Sequence, residues 1–191
     1  MSPSQSATHQ QLAIEAELAA GPCRFVRERL RLPMGLEGSF GWLRHPPTVL
    51  VVPQLPDGHL LVLHRYRPAV ARWVLEFPSD TLEPEESPAA GGERLVRWLT
   101  GHGGRGWQPL GQLRPNPGYS DELMTLGLMV VETDLDTTEP GSGPGPRVED
   151  TTLYRRFMTA QALDSALTDL EEPVDGRSVS AWCLARRRGS L

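Results

Sequence analysis

Residues 87–101 read Ser-Pro-Ala-Ala-Gly-Gly-Glu-Arg-Leu-Val-Arg-Trp-Leu-Thr-Gly, and no other stretch so narrows what this chain can fold into. Ser87 offers an N-cap hydroxyl and Pro88 fits the first helical position. Gly101 supplies a stop. Leu95, Trp98 and Leu99 stand at i, i+3 and i+4, which share one helix face, so the spacing predicts a helix laid on a core. Three strand-like runs precede it: residues 48–52, 60–67 and 73–78. Pro56-Asp57-Gly58 predicts a tight turn between the first two.

Along the rest of the chain, residues 10–20 have helical composition, and Gly21-Pro22 punctuates them. In residues 23–32, Phe25, Arg27, Arg29 and Arg31 alternate with Val26, Glu28, Leu30 and Leu32, the period of a strand. Residues 38–45 are expected to return beside it. Residues 107–113 and 123–133 read as later strands, and the Gly/Pro/Ser-rich residues 136–147 as a loop. Helices are expected over 159–170 and 178–188. Arg186-Arg187-Arg188 suits the negative end of the last helix dipole.

Composition excludes several function classes. A net charge of −5 leaves no electrostatic footprint for nucleic acid. The chain has no Lys, so no Schiff base or lysine nucleophile is available. Cys23 and Cys183 have no metal-ligand spacing. The polar N-terminus lacks a signal pattern, and no apolar run is long enough to span a bilayer. A cytoplasmic location is expected.

Residues 80–101 resemble the Nudix box, G-x5-E-x7-R-E-U-x-E-E-x-G-U, where U is a bulky aliphatic residue. Laid on without a gap, Glu86 takes the first Glu, Arg94 the Arg, Val96 the aliphatic and Gly101 the late Gly. Asp80 stands where the pattern has Gly, a residue suited to positive φ. The acidic positions fall on Leu95, Trp98 and Leu99. Glu at those three positions would make a patch for Mg²⁺, a hard ion that takes oxygen ligands; Leu and Trp offer it none.

Further motifs resemble the ADP-ribose pyrophosphatase branch of that family. They are His45-Pro46-Pro47-Thr48-Val49, His64-Arg65-Tyr66-Arg67, Trp73-Val74-Leu75-Glu76-Phe77-Pro78, Asn116-Pro117-Gly118-Tyr119-Ser120-Asp121-Glu122 and Asp175-Gly176-Arg177-Ser178. The resemblance implies a Nudix α/β/α sandwich with a mixed β-sheet plus an N-terminal β-segment. The expected division is a polar or helical extension over 1–20, a β-segment over 21–45 that could serve dimerisation, and a Nudix domain over 46–191. By resemblance, Arg67 and Glu76 contact substrate, and Pro117, Gly118 and Tyr119 form a loop beside the pocket. Glu86 and Arg94 are the box remnants. Glu149 and Asp150 lie where the branch keeps a further catalytic acid, and would be catalytic only in an active enzyme.

With no metal ligands left in the box, no cofactor is expected, or Mg or Mn if the chain is active. The expected role is a catalytically impaired module for a nucleotide-like ligand or a protein partner, working as a homodimer away from membranes and nucleic acid. The alternative is an active hydrolase of ADP-ribose or a related nucleoside-diphosphate sugar. Its metal site would be relocated to Glu83, Glu85, Glu86 or Glu93 with Glu149 and Asp150.

Overall fold

The computed structural model describes residues 8–132, 153–169 and 173–189. The chain divides into two compact units.

The first unit comprises Met1–Pro46 and Arg114–Leu123. Three antiparallel strands, β1 (Gln10–Ala20), β2 (Cys23–Arg31) and β3 (Glu37–Arg44), form its sheet in the order β1-β2-β3. Residues 10–20 are therefore a strand, not the helical extension that their composition favours. The reason is the turn that follows. Gly21, at φ +58, opens a two-residue connection that folds β1 back along β2, from Ala20 opposite Cys23 to Gln10 opposite Arg31. Cross-strand pairing outweighs an intrinsic preference of a few tenths of a kcal/mol per residue, on the order of the spread among ordinary residues.

One face of β2 is an ion-pair ladder, with Arg27 on Glu15 (3.0 Å) and both Arg29 (3.5 Å) and Arg31 (2.6 Å) on Glu37. The other face carries Val26, Glu28 and Leu30, all buried. Residues 114–123 join this unit through the backbone. The Leu43 N–H donates to the Tyr119 carbonyl (2.8 Å), and the Asp121 N–H to the Leu43 carbonyl (3.2 Å). A division at residue 46 alone leaves this stretch in the wrong unit.

The second unit comprises Pro47–Leu113 and Met124–Leu191. Its strands are β4 (Thr48–Gln54), β5 (Leu60–Arg67), β6 (Arg72–Glu76), β7 (Ser79–Thr81), β8 (Gly104–Leu113), β9 (Met124–Val131) and β10 (Leu153–Met158). Their order is β10-β5-β4-β9-β8, with β6 paired to β5 and β7 to β4. Among the described strands only β4 and β9 pair in parallel, so the sheet is mixed. The helices are α1 (Pro88–Thr100), α2 (Ala160–Thr168) and α3 (Gly176–Arg187).

Strand β4 explains the layering. It is buried on both faces, as its unbroken apolar run requires. Val49 and Val51 pack with Leu95, Val96 and Leu99 of α1. Leu50 and Val52 pack with Leu163 of α2 and Trp182 of α3. The expected α/β/α sandwich follows, with α1 on one side of the sheet and α2 and α3 on the other.

Helix α1 begins and ends where its caps dictate. The Ser87 hydroxyl accepts from the Ala90 N–H (3.2 Å), and Gly101 takes φ +76. Its Gly92 admits the Trp107 indole, which lies 2.8 Å from where a Cβ would stand.

Candidate functional site

Two arginine–carboxylate forks mark the second unit. On the loop before α1, the Arg94 Nε donates to Glu86 Oε1 (2.8 Å) and its Nη2 to Glu86 Oε2 (2.9 Å). The same guanidinium reaches Asp80 (3.0 Å) and the Thr81 carbonyl (2.9 Å). Glu86 also accepts from the Glu83 N–H (3.0 Å). Arg94 thus ties β7 and the loop to the helix. Its hydrogen bonds hold the Glu86 carboxyl below the usual carboxylate range, and Glu86 in turn raises the Arg94 guanidinium.

The second fork joins β5 to β6. The Arg67 Nε and Nη2 each donate to Glu76 at 2.8 Å. Glu76 is buried, and Arg65 and Arg177 stand 3.9 Å from its oxygens. Burial pushes the Glu76 carboxyl up, against the pull of Arg67, Arg177 and Arg65. Asp175 holds Arg177 (2.8 Å) and caps α3 through the Ser178 N–H (3.0 Å).

Comparisons with known proteins place this geometry. No family model matches the chain. The ADP-ribose pyrophosphatase of Bacillus subtilis (strain 168) is 25% identical over 118 residues, 59% of this chain and 64% of that protein. A methanol dehydrogenase activator from Bacillus methanolicus is 26% identical over 97 residues, 51% of this chain and 52% of that protein. The chain thus matches less than two thirds of either relative's length. The crystal structure of an ADP compounds hydrolase superposes with a TM-score of 0.74 over 98% of both chains, at 21% identity.

The chain has a Nudix fold and is similar in sequence to an ADP-ribose pyrophosphatase.

In this Nudix fold the helix aligned with the box carries apolar residues at positions 95, 98 and 99. Leu95 and Leu99 are 5% and 0% exposed and belong to the core. Trp98 does not follow them inward: it is 46% exposed, which corrects the reading of Leu95, Trp98 and Leu99 as one buried stripe. The reason is angular. Successive helical residues turn by about 100°, so Trp98 lies about 100° round from Leu99, at the margin of the buried arc. Position 80 also departs from expectation. Asp80 is not among the residues at positive φ; it sits in β7, paired with Val49. What the Gly position has gained is a second carboxylate on Arg94.

The residues present do not fit a divalent cation at the box. The three ligand positions carry no oxygen donor. Neighbouring acids are engaged: Asp80 and Glu86 by Arg94, Glu93 by Arg97 (2.7 Å). Among the described residues no group of three or more His, Cys, Asp or Glu is arranged to hold a metal ion. Glu149 and Asp150 lie outside the described residues.

The first unit holds a cavity of about 530 Å³. Glu28, Phe40, Trp42, Arg44 and Arg114 line it together with Pro117 and Gly118 of the expected pocket loop. Tyr119 is exposed, its hydroxyl on Asn116 Oδ1 (3.2 Å). Sequence reasoning missed Glu28, Phe40, Trp42 and Arg44. One signal was available: Glu28 is the single acidic residue of the predicted 23–32 strand, and it stands between Val26 and Leu30 on the apolar face.

Proposed function

We propose that this chain is a catalytically impaired Nudix-fold protein that binds a nucleotide-like ligand. The observation that carries the reading is the burial of Leu95 and Leu99 at the positions where the family's box places carboxylates. Splitting a diphosphate requires charge stabilisation on phosphate oxygens, which a cation clamp supplies. Core leucines cannot hold such a clamp, and Asp80, Glu86 and Glu93 are paired with arginines. The aromatic cavity of the first unit supports ligand binding, since planar rings stack on Phe and Trp faces. One relative's name, an activator of another enzyme, makes a protein partner the second candidate occupant.

Two features support a homodimer. Every residue of the edge strand β1 is exposed, Leu12, Ile14 and Leu18 among them, and Phe25 of the adjoining β2 adds apolar surface. Sedimentation velocity should give a dimer; a concentration-independent monomer would remove this part of the proposal. Both cysteines are free, which supports a reducing, cytoplasmic setting.

The deciding assay follows AMP release from ADP-ribose with Mg²⁺ or Mn²⁺. No turnover above background is expected. Turnover at ordinary enzyme rates, abolished by EDTA, would establish the alternative of an active hydrolase with a relocated metal site. Glu149→Gln and Glu93→Gln would then locate it.

A further inference from the structure

The second unit has a cavity of its own, of about 540 Å³. His64, Tyr66, Arg72 and Trp73 of the β5–β6 hairpin line it with Asp169 and Pro173. Trp73 is the hub of a ring cluster. Its indole centroid lies 5.3 Å from the His64 ring, 5.7 Å from the Tyr66 ring and 5.1 Å from the Tyr154 ring. The register explains the cluster. Tyr66 lies opposite Trp73, and Tyr154 lies opposite His64, so three neighbouring strands put rings on one face. Tyr66 meets the indole at 66°, so the two planes form a corner, not a flat wall. Tyr154 is 53% exposed and extends the aromatic surface along the sheet.

The unpaired polar groups at this corner are donors. The Trp73 indole N–H has no hydrogen-bond partner among the described residues, and the Arg72 guanidinium has neither a hydrogen bond nor an ion pair there. Both groups donate only. Neither is sealed in, because no fully enclosed side-chain N or O atom among the described residues lacks a partner. Asp169 balances Arg72 in the lining, so the cavity selects neither a cation nor an anion. The fitting ligand is apolar, carries carbonyl acceptors and brings no surplus donors. A saccharide fails the last condition, since every hydroxyl brings a donor. An ordinary extended peptide brings one N–H per residue. A proline run meets all three conditions: its rings are apolar, each residue keeps a carbonyl and none has an N–H. Its extended helix is also preformed, so little chain entropy is lost on docking.

We propose that the Trp73–Tyr66 corner is a docking site for a proline-rich segment of a partner protein. Pyrrolidine rings pack into the corner, and the indole N–H and the Arg72 guanidinium donate to the carbonyls between them. The site lies in the second unit and shares no residue with the first-unit cavity, so it stands apart from the nucleotide-binding reading.

Decaproline serves as the probe, and a Gly-Ser decamer as the control. Isothermal titration calorimetry on the full chain should show decaproline binding with a Kd below about 1 mM and no binding of the control. Trp73→Ala should weaken binding by about 30-fold or more, the loss on truncating an interface hot spot. Trp73→Phe keeps a ring and loses the N–H, and should weaken it by about 2- to 12-fold, the range for one neutral hydrogen bond. A merely structural Trp73 would not give this graded loss. Absence of decaproline binding up to about 1 mM overturns the proposal, as does equal binding of the control. So does native affinity in a Trp73→Ala variant that melts cooperatively. A native dimer that Trp73→Ala converts to a monomer, with no decaproline bound, assigns the face to a second copy and also overturns it. If Trp73→Ala does not fold, Trp73→Phe and Arg72→Ala, the latter on exposed surface, decide: native affinity in both overturns the proposal.

Discussion

Arg94 grips both oxygens of Glu86, at 2.8 and 2.9 Å, in a box whose ligand positions bear no carboxylate. The pair braces the loop against α1, and Asp80 strengthens it from the neighbouring strand. The fork thus stands beside a helix face filled by Leu95 and Leu99, which offers a cation no oxygen donor.

That fork makes stability depend on pH with a definite sign. The Glu86 carboxyl is held below its ordinary value in the folded chain. Its contribution is therefore present above the unfolded pKa, about 4.3, and is lost as pH falls through the lower folded value. Thermal melts of the native protein and Glu86→Gln should differ most near neutral pH and converge in acid. A gap that stays constant down to the acid limit would contradict this.

Restoring carboxylates to the box should be tolerated at one position only. Leu99→Glu puts an unpaired charge into the core between α1 and the sheet, costing several kcal/mol or more, a large part of a typical margin of about 5–15 kcal/mol. Leu95→Glu should behave similarly. Trp98→Glu lands on exposed surface and should cost about 1 kcal/mol or less. Denaturant melts of the three single variants check the ranking. A stable Leu99→Glu protein that binds Mn²⁺ would show the site to be erased only chemically.

Trp107 should forbid a side chain on its far wall. A Cβ on Gly127 would stand 2.2 Å from the indole, too close for any real contact. Gly127→Ala must displace the ring or the strand, an overpacking cost of about 1–3 kcal/mol. The urea midpoint should fall without a change in m-value. An unaffected midpoint would mean that the indole moves freely.

Removing Arg67 should be costlier than removing its charge partner's charge. Arg67→Ala leaves Glu76, 2% exposed, with only the more distant Arg65 and Arg177. Breaking a buried pair costs about 3–5 kcal/mol, less here because Arg67 is itself partly exposed to solvent. Glu76→Gln keeps the shape and a hydrogen-bonding carbonyl, and should cost about 1–2 kcal/mol. Equal losses in calorimetric melts would show that the fork contributes only packing.

The sequence by itself determined what depends on near neighbours. Ser87, Pro88 and Gly101 bounded α1, and Pro56-Asp57-Gly58 set the turn between β4 and β5. The alternation of β2 and the apolar run of β4 also needed only local periodicity. The absence of cation ligands at positions 95, 98 and 99 was legible from residue type alone. Tertiary structure decided what depends on partners far along the chain. Residues 10–20 became a strand because β2 was there to pair with, and no composition rule reports that. Trp98 faces solvent because the sheet covers only an arc of α1 centred on Leu99. Arg67 reaches Glu76 because the β5–β6 hairpin puts both side chains on one face of the sheet. The ring cluster of Trp73 exists only because β5 and β10 bring His64, Tyr66 and Tyr154 beside it. Burial and hydrogen-bond partnership are properties of three-dimensional neighbours, and a linear pattern carries them only where those neighbours are also close in sequence.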